Sequence, residues 1–146
     1  MKKIVEQNWD YTKHAKFYEY RPNYAPNCID MLKYLVSNNV NGGGNPKIKV
    51  ADIGAGTGNL SIMLLERDCE VTSVEPNDAM REIGIDRTKN QDIKWIRAIG
   101  IESTLEDKTF DWVTFGSSFN VMDRNLALQE THRILKDDGY FSCMWN

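Results

Sequence analysis

Short apolar runs and amphipathic stretches alternate along the chain, and their order predicts its elements. Val50, Ala51 and Ile53 make a continuous apolar strand, and the stretch opening near Asn59 places Leu60, Met63 and Leu64 at helical spacing. Val71, Ser73 and Val74 form a second strand that ends on Glu75. Pro76 and Asn77 then introduce a helix of about residues 78–87. Ile93 to Arg97 alternates as a third strand, Gly100 marks a turn, and Phe110 to Phe115 is a fourth strand. The spacing predicts a helix over 124–135 with Leu126, Leu128 and Ile134 or Leu135 inward; Gly139 ends its turn and Tyr140 to Trp145 is strand five. Upstream, Tyr11, Ala15 and Tyr18 share one face of a short helix within 10–20, placed over the sheet edge or the mouth of a site. Pro22 and Pro26 break the chain before a helix over Cys28 to Val36, and Asn38 to Pro46 is a loop by composition, its glycines a flexible connector.

Strands that alternate with helices throughout predict an α/β fold with a doubly wound parallel sheet. Right-handed crossovers place strands two and three on one side of strand one, with four and five on the other, giving the order 3-2-1-4-5. The order reverses between strands one and four, and ligands of open α/β sheets bind there, beyond the carboxyl ends of the strands. Asp52 to Gly58, Glu75 to Asn77, Ile99 to Glu102 and Gly116 to Phe119 converge on that point.

The chemistry sits in the turn Gly54-Ala55-Gly56-Thr57-Gly58. Glycines without Cβ atoms let the backbone take positive φ and lie against a ligand, although any sharp strand-to-helix turn also favours glycine. Here the turn follows a buried strand, opens a helix and precedes a carboxylate, a group that can accept both hydroxyls of a ribose. A dinucleotide fingerprint reads G-x-G-x-x-G, whereas this chain has its last glycine one place early and Asn59 in the following position. The pattern favours an adenosine cofactor without a pyrophosphate and disfavours a nicotinamide dehydrogenase.

Asp52-Ile53-Gly54-Ala55-Gly56-Thr57-Gly58, Val74-Glu75-Pro76-Asn77, Phe110-Asp111-Trp112-Val113 and the stretch Glu130 to Gly139 together resemble the class I S-adenosylmethionine-dependent methyltransferases. Tyr18-Glu19-Tyr20-Arg21-Pro22-Asn23-Tyr24 is similar to the N-terminal segment of the small-molecule members. The resemblance implies the Rossmann-like methyltransferase fold and methyl transfer from S-adenosylmethionine to a small-molecule acceptor, with S-adenosylhomocysteine as product. It implies that Asp52 orients the methionine amino end, that Gly54 and Gly56 let the chain lie against it, and that Glu75 holds the ribose. Asn77 and Met80 border the adenine, whose edge meets the backbone around Gly100 and Ile101, and Ser117 offers backbone groups to the amino-acid portion. Many relatives carry an acid after strand three; here the stretch is Ala98-Ile99-Gly100-Ile101-Glu102, so adenine recognition rests on backbone groups or on Glu102. Each role has a plainer alternative: Asp52 as a turn cap, Met80 as core, Ser117 as loop.

Tyr11, Tyr18, Tyr20 and Arg21 are the N-terminal candidates, since aromatic faces favour a sulfonium and a guanidinium pairs with a carboxylate. An aromatic helix sealing the core accounts for the tyrosines equally well. His14 is either a general base toward a hydroxyl acceptor or a solvated helix position, and His132 reads as structural; no catalytic residue is assigned.

With 146 residues, 41% of them hydrophobic, the chain is read as one domain over 1–146, with residues 1–25 as an N-terminal cap segment. A net charge of −3 with scattered basic residues argues against nucleic acid, and no run is long enough to cross a bilayer. Polar Glu6, Gln7, Asn8 and Asp10 follow the Met1-Lys2-Lys3 start, against a signal peptide. Cys28, Cys69 and Cys143 have no metal-site spacing and read as buried, reduced thiols of a cytoplasmic protein. The chain reaches Asn146 at the fifth strand, whereas the resemblance implies a further helix and two strands. The expectation is a C-terminally incomplete domain, with a homodimer or a partner chain covering strand five. A non-catalytic cofactor-binding or partner module is the alternative to an enzyme.

Overall fold

The computed structural model describes residues 10–40 and 47–146. The start considered as a signal peptide and the glycines of the 38–46 connector lie outside these residues. A 3₁₀ turn over Ala15–Tyr20 precedes α1 (Pro26–Val40), followed by β1 (Lys49–Ile53), α2 (Asn59–Leu65), β2 (Glu70–Val74) and α3 (Asp78–Arg87). Then come β3 (Ile93–Ile96), β4 (Phe110–Gly116), a short 3₁₀ turn over Phe119–Val121, α4 (Arg124–Ile134) and β5 (Leu135–Met144). All strand pairs are parallel, in the order β3-β2-β1-β4-β5, as the crossover argument predicts.

The central strands are buried on both faces, so nearly all successive positions of β1 and β4 are buried, Asp52 and Asp111 included. One face packs Ile29 and Val36 of α1 and Leu60, Met63 and Leu64 of α2 against Val50, Val71 and Trp112. The other packs Ala127 and Ile134 of α4 against Ala51, Val113 and Phe115. Asn77 and Asp123 cap α3 and α4, their side chains accepting the amides of Met80 and Leu126 at 3.0 Å each.

Three expectations need correction. The buried face of α4 is Ala127, Thr131 and Ile134; Leu128 is 42% exposed and Leu126 only half-buried. Small Ala127 lets the helix lie close to the sheet, and that approach, rather than the leucines, sets its rotation. Strand five begins at Leu135, directly after α4, and includes Gly139. Pairing passes from Phe110–Leu135 to Trp112–Tyr140 through a register irregularity that takes up the extra residues. Finally, α1 runs on through Asn38 and Asn39, which the composition argument assigned to the loop.

Candidate functional site

A crevice opens at the switch point, between the carboxyl ends of β1 and β4, and Tyr18, Arg21, Asp52, Gly54, Gly56, Glu75, Asn77, Met80, Gly100 and Ser117 line it. Ile101 does not line it. It packs against the core face that holds Phe115 and Ile134. Glu102 is exposed and lies off the crevice wall, bridged to Ile99. Tyr11 lines the crevice, whereas Tyr20 is 78% exposed and turns away. His14 is exposed before the first 3₁₀ turn and is not part of the lining.

The glycine turn leaves β1 with Gly54, Gly56 and Gly58 all at positive φ, +71°, +59° and +86°. Room is as decisive as φ at Gly54, where an added Cβ would stand 2.5 Å from Ser118 Cβ. Gly100 and Gly116 line the same space, and a Cβ on either would come within 2.8 Å or less of a neighbouring side chain. The result is a cradle of bare backbone. Arg87 of α3 steadies its far end, donating to Thr57 O at 2.8 Å and to Asn59 Oδ1 at 2.6 Å.

Two carboxylates flank the cradle. Glu75 Oε2 accepts from Gly56 N and Oε1 from Asn77 N, each at 2.8 Å. Each oxygen keeps a lone pair, so the group can still take a vicinal diol. Burial raises its pKa, against the lowering effect of the two amides. Asp52 is 1% exposed, and its Oδ2 accepts from Ser61 Oγ at 2.6 Å. Ser61 Oγ lies 2.7 Å from Ser73 Oγ, so Ser73 is the donor there, because the single Ser61 proton goes to the carboxylate. Asp52 Oδ1 is buried without any hydrogen-bond partner. Burial, with a smaller push from the Glu75 charge, lifts the Asp52 pKa from 3.8 to about 7. An orphaned carboxylate oxygen facing a crevice is a strong acceptor for a cationic donor such as an ammonium group.

The N-terminal segment closes one side of the crevice. Asn77 Nδ2 donates to Thr12 Oγ1 at 3.1 Å and Asn59 Nδ2 to Tyr18 O at 3.4 Å. Arg21 lies over the Tyr18 ring, 5.1 Å from its centroid, and donates to Asn146 Oδ1 at 3.0 Å. Tyr11 meets Tyr18 edge-on with centroids 5.9 Å apart. Sequence reasoning passed over Tyr24, Asn59, Leu60, Val121, Met122 and Asn146 as lining residues. For Tyr24 a signal was present, its place beside Arg21 and Pro22. For Val121 and Met122 nothing in the pattern marked them.

These features fit an adenosyl amino acid: a cradle for close approach, an acid for the ribose, an orphaned acid for the ammonium group and a guanidinium for the carboxylate. Among the described residues no group of three or more His, Cys, Asp or Glu side chains is placed to hold a metal, and no helix is long and apolar enough to cross a membrane.

A profile described as "Methyltransferase domain" matches residues 51–143. A Staphylococcus carnosus protein described as an uncharacterized methyltransferase is 31% identical over 134 residues, covering 90% of this chain and 59% of its own length. Demethylmenaquinone methyltransferase of Staphylococcus aureus is 33% identical over 102 residues, covering 66% of this chain and 42% of its own length. The chain thus spans about half the length of these relatives. Among solved structures, the geranyl diphosphate C-methyltransferase of Streptomyces coelicolor, in complex with S-adenosyl-L-homocysteine, superposes with a TM-score of 0.64 at 16% identity. That match covers 80% of this chain and 43% of the other, and at this identity it is a likeness of fold.

Proposed function

The chain belongs to the methyltransferase-domain family, and from that premise we propose that it transfers a methyl group from S-adenosylmethionine to a small-molecule acceptor. The observation that carries the proposal is the orphaned Oδ1 of Asp52, a residue that lines the same crevice as Glu75 and the bare-backbone turn. A buried unpaired carboxylate is costly unless a ligand completes it, and the amino group of an amino-acid cofactor does so. The streptomycete neighbour is described with S-adenosyl-L-homocysteine, which supports the same cofactor class here.

When bound, the cofactor supplies a methyl group on a positively charged sulfur. The chain's own residues bind, orient and exclude water. Asp52, kept in place by Ser61, takes the ammonium group, while Arg21 takes the carboxylate and the backbone of Ser117 borders the same end. Glu75 accepts the ribose hydroxyls with the lone pairs left free by Gly56 and Asn77. Met80 and Asn77 flank the adenine, whose edge meets the backbone at Gly100. The Tyr18 face, already favourable to the Arg21 cation, suits a sulfonium equally. An in-line displacement draws its rate chiefly from alignment of the acceptor and a dry site. Tyr11, Val121 and Met122 at the mouth, together with residues 10–25 of the cap segment, serve that purpose. Three unpaired cysteines, one of them buried, support a reducing cytoplasmic setting. The exposed Phe141 of β5 and Trp145 just past it support an assembly in which a second copy or another chain covers that edge.

The test is a titration with S-adenosylmethionine, S-adenosylhomocysteine and NAD, followed by an assay for S-adenosylhomocysteine release with a panel of small acceptors. Binding of the first two with acceptor-dependent release supports the proposal. Binding without release on any acceptor favours a cofactor-binding module, and preferential binding of NAD overturns both.

A further inference from the structure

Tyr24 lies where the N-terminal segment meets the turn after β4. It is 7% exposed, and a Cβ on Gly116 would stand 2.7 Å from its hydroxyl oxygen, so the phenol sits directly on that glycine. The same hydroxyl is 3.1 Å from Ser117 Oγ. Ser117 spends its single proton on Asn146 Oδ1 at 3.2 Å, which makes Tyr24 the donor of the pair. Ser117 has φ +54°, a left-handed backbone that a residue other than glycine holds only when its surroundings over-determine it. Its amide donates to Met144 O at 2.7 Å, which ties the turn to the end of β5. Burial raises the phenol's pKa, so Tyr24 remains a protonated donor at neutral pH.

We propose that Tyr24 is a positioning residue: its hydroxyl bond to Ser117, with its ring on Gly116, holds the Gly116–Ser117 turn in the left-handed form that presents its backbone to the amino-acid end of the cofactor. The proposal rests on the cofactor reading given above. It separates Tyr24 from Tyr11 and Tyr18, whose faces line the crevice without a hydrogen bond to the turn. It also has a distinctive genetic consequence. Glycine at 117 takes positive φ at no steric cost, so the turn no longer needs the tyrosine hydroxyl.

The experiment is a calorimetric titration of the full chain with S-adenosylhomocysteine for the wild type, Y24F, S117G and Y24F/S117G. Loss of one neutral hydrogen bond is expected to weaken binding about five- to tenfold in Y24F. In the S117G background, whatever S117G does alone, Y24F is expected to cost less than about twofold. An equal Y24F loss in both backgrounds, or none in the wild-type background, overturns the proposal. A second readout needs no ligand: exchange of the Ser117 amide hydrogen is expected to speed up about five- to tenfold in Y24F while the β4 core amides hold. Unchanged exchange at Ser117 also overturns the proposal, and this measurement decides the matter if S117G binds too weakly to titrate. A wild-type chain that takes up no S-adenosylhomocysteine would remove the cofactor reading instead, leaving the exchange experiment to judge the turn.

Discussion

Replacing Asp52 with asparagine separates the cost of this carboxylate from its use. In the ligand-free protein Asp52 is buried and half satisfied, with a pKa raised from 3.8 to about 7. A folded state with a raised carboxyl pKa binds a proton that the unfolded chain releases. Its stability is therefore greatest below about pH 4, falls as pH climbs toward about 7, and is level above that. At about 1.4 kcal/mol per pH unit, the ionised carboxylate costs the fold up to about 4 kcal/mol at pH 8. Asparagine removes the charge and keeps an oxygen for Ser61, but its amide leaves a buried donor unpaired, at a cost of about 1–3 kcal/mol. D52N is thus expected to be more stable than the wild type by about 1–3 kcal/mol near pH 8. The advantage should vanish or reverse near pH 4, where the wild-type acid is neutral. Urea unfolding at both pH values measures the difference. The same variant is expected to bind S-adenosylhomocysteine at least about tenfold more weakly at pH 8, because the charged partner of the ammonium group is gone. A D52N protein that is less stable at pH 8, or a difference that does not change with pH, would refute the reasoning.

Other substitutions probe the cradle and its supports. G54A puts a Cβ 2.5 Å from Ser118 Cβ at a φ of +71°, and Ser118 cannot swing aside without losing its 2.6 Å bond to Ile53 O. Strain and overpacking together should cost about 2–5 kcal/mol in urea unfolding; a change below about 0.5 kcal/mol would show that the turn yields. E75Q turns one amide N–H toward the N–H of Gly56 or Asn77 and should lower stability by about 1–3 kcal/mol while weakening S-adenosylhomocysteine binding. Unchanged affinity in E75Q would argue against ribose recognition by Glu75. G84A drives a methyl group into the Trp95 ring, which lies against that glycine. It should destabilise by about 1–3 kcal/mol, and W95L should recover much of the loss; no recovery would place the strain in α3 itself.

The sheet was legible because its strands carry recognisable patterns: β1 and β4 as short, largely apolar stretches, each holding one aspartate, and β2 by the acid at its tip. The handedness of the crossovers then leaves one order. The rotation of α4 was not, because Leu126 and Leu128 are the more hydrophobic residues, while close approach to the sheet depends on the small Ala127. Gly139 reads as the end of a turn, yet it sits inside β5, since a glycine that closes a loop and one that admits a bulge look alike in one dimension. In the site, the two carboxylates and the glycines were legible from their places at strand ends. Ile101 was not separable from Gly100, because a change of one residue in a turn decides between crevice and core. Tyr20 was not separable from Tyr18, because aromatic chemistry alone selects both, and it is the 3₁₀ turn over Ala15–Tyr20 that leaves Tyr20 exposed while Tyr18 lines the crevice. Val121 and Met122 reach the crevice through a short 3₁₀ turn that no periodicity encodes.

The central claim, that Asp52 and Glu75 complete a site for an adenosyl amino acid, is tested most directly by titrating the wild-type chain with S-adenosylhomocysteine at about pH 8 and about pH 6. Binding at a single site is expected at both, weaker by up to about tenfold at the lower pH, because an Asp52 with a pKa of about 7 is then mostly protonated and no longer pairs with the ammonium group. Absence of binding at pH 8, or an affinity that is the same at both pH values, would contradict it.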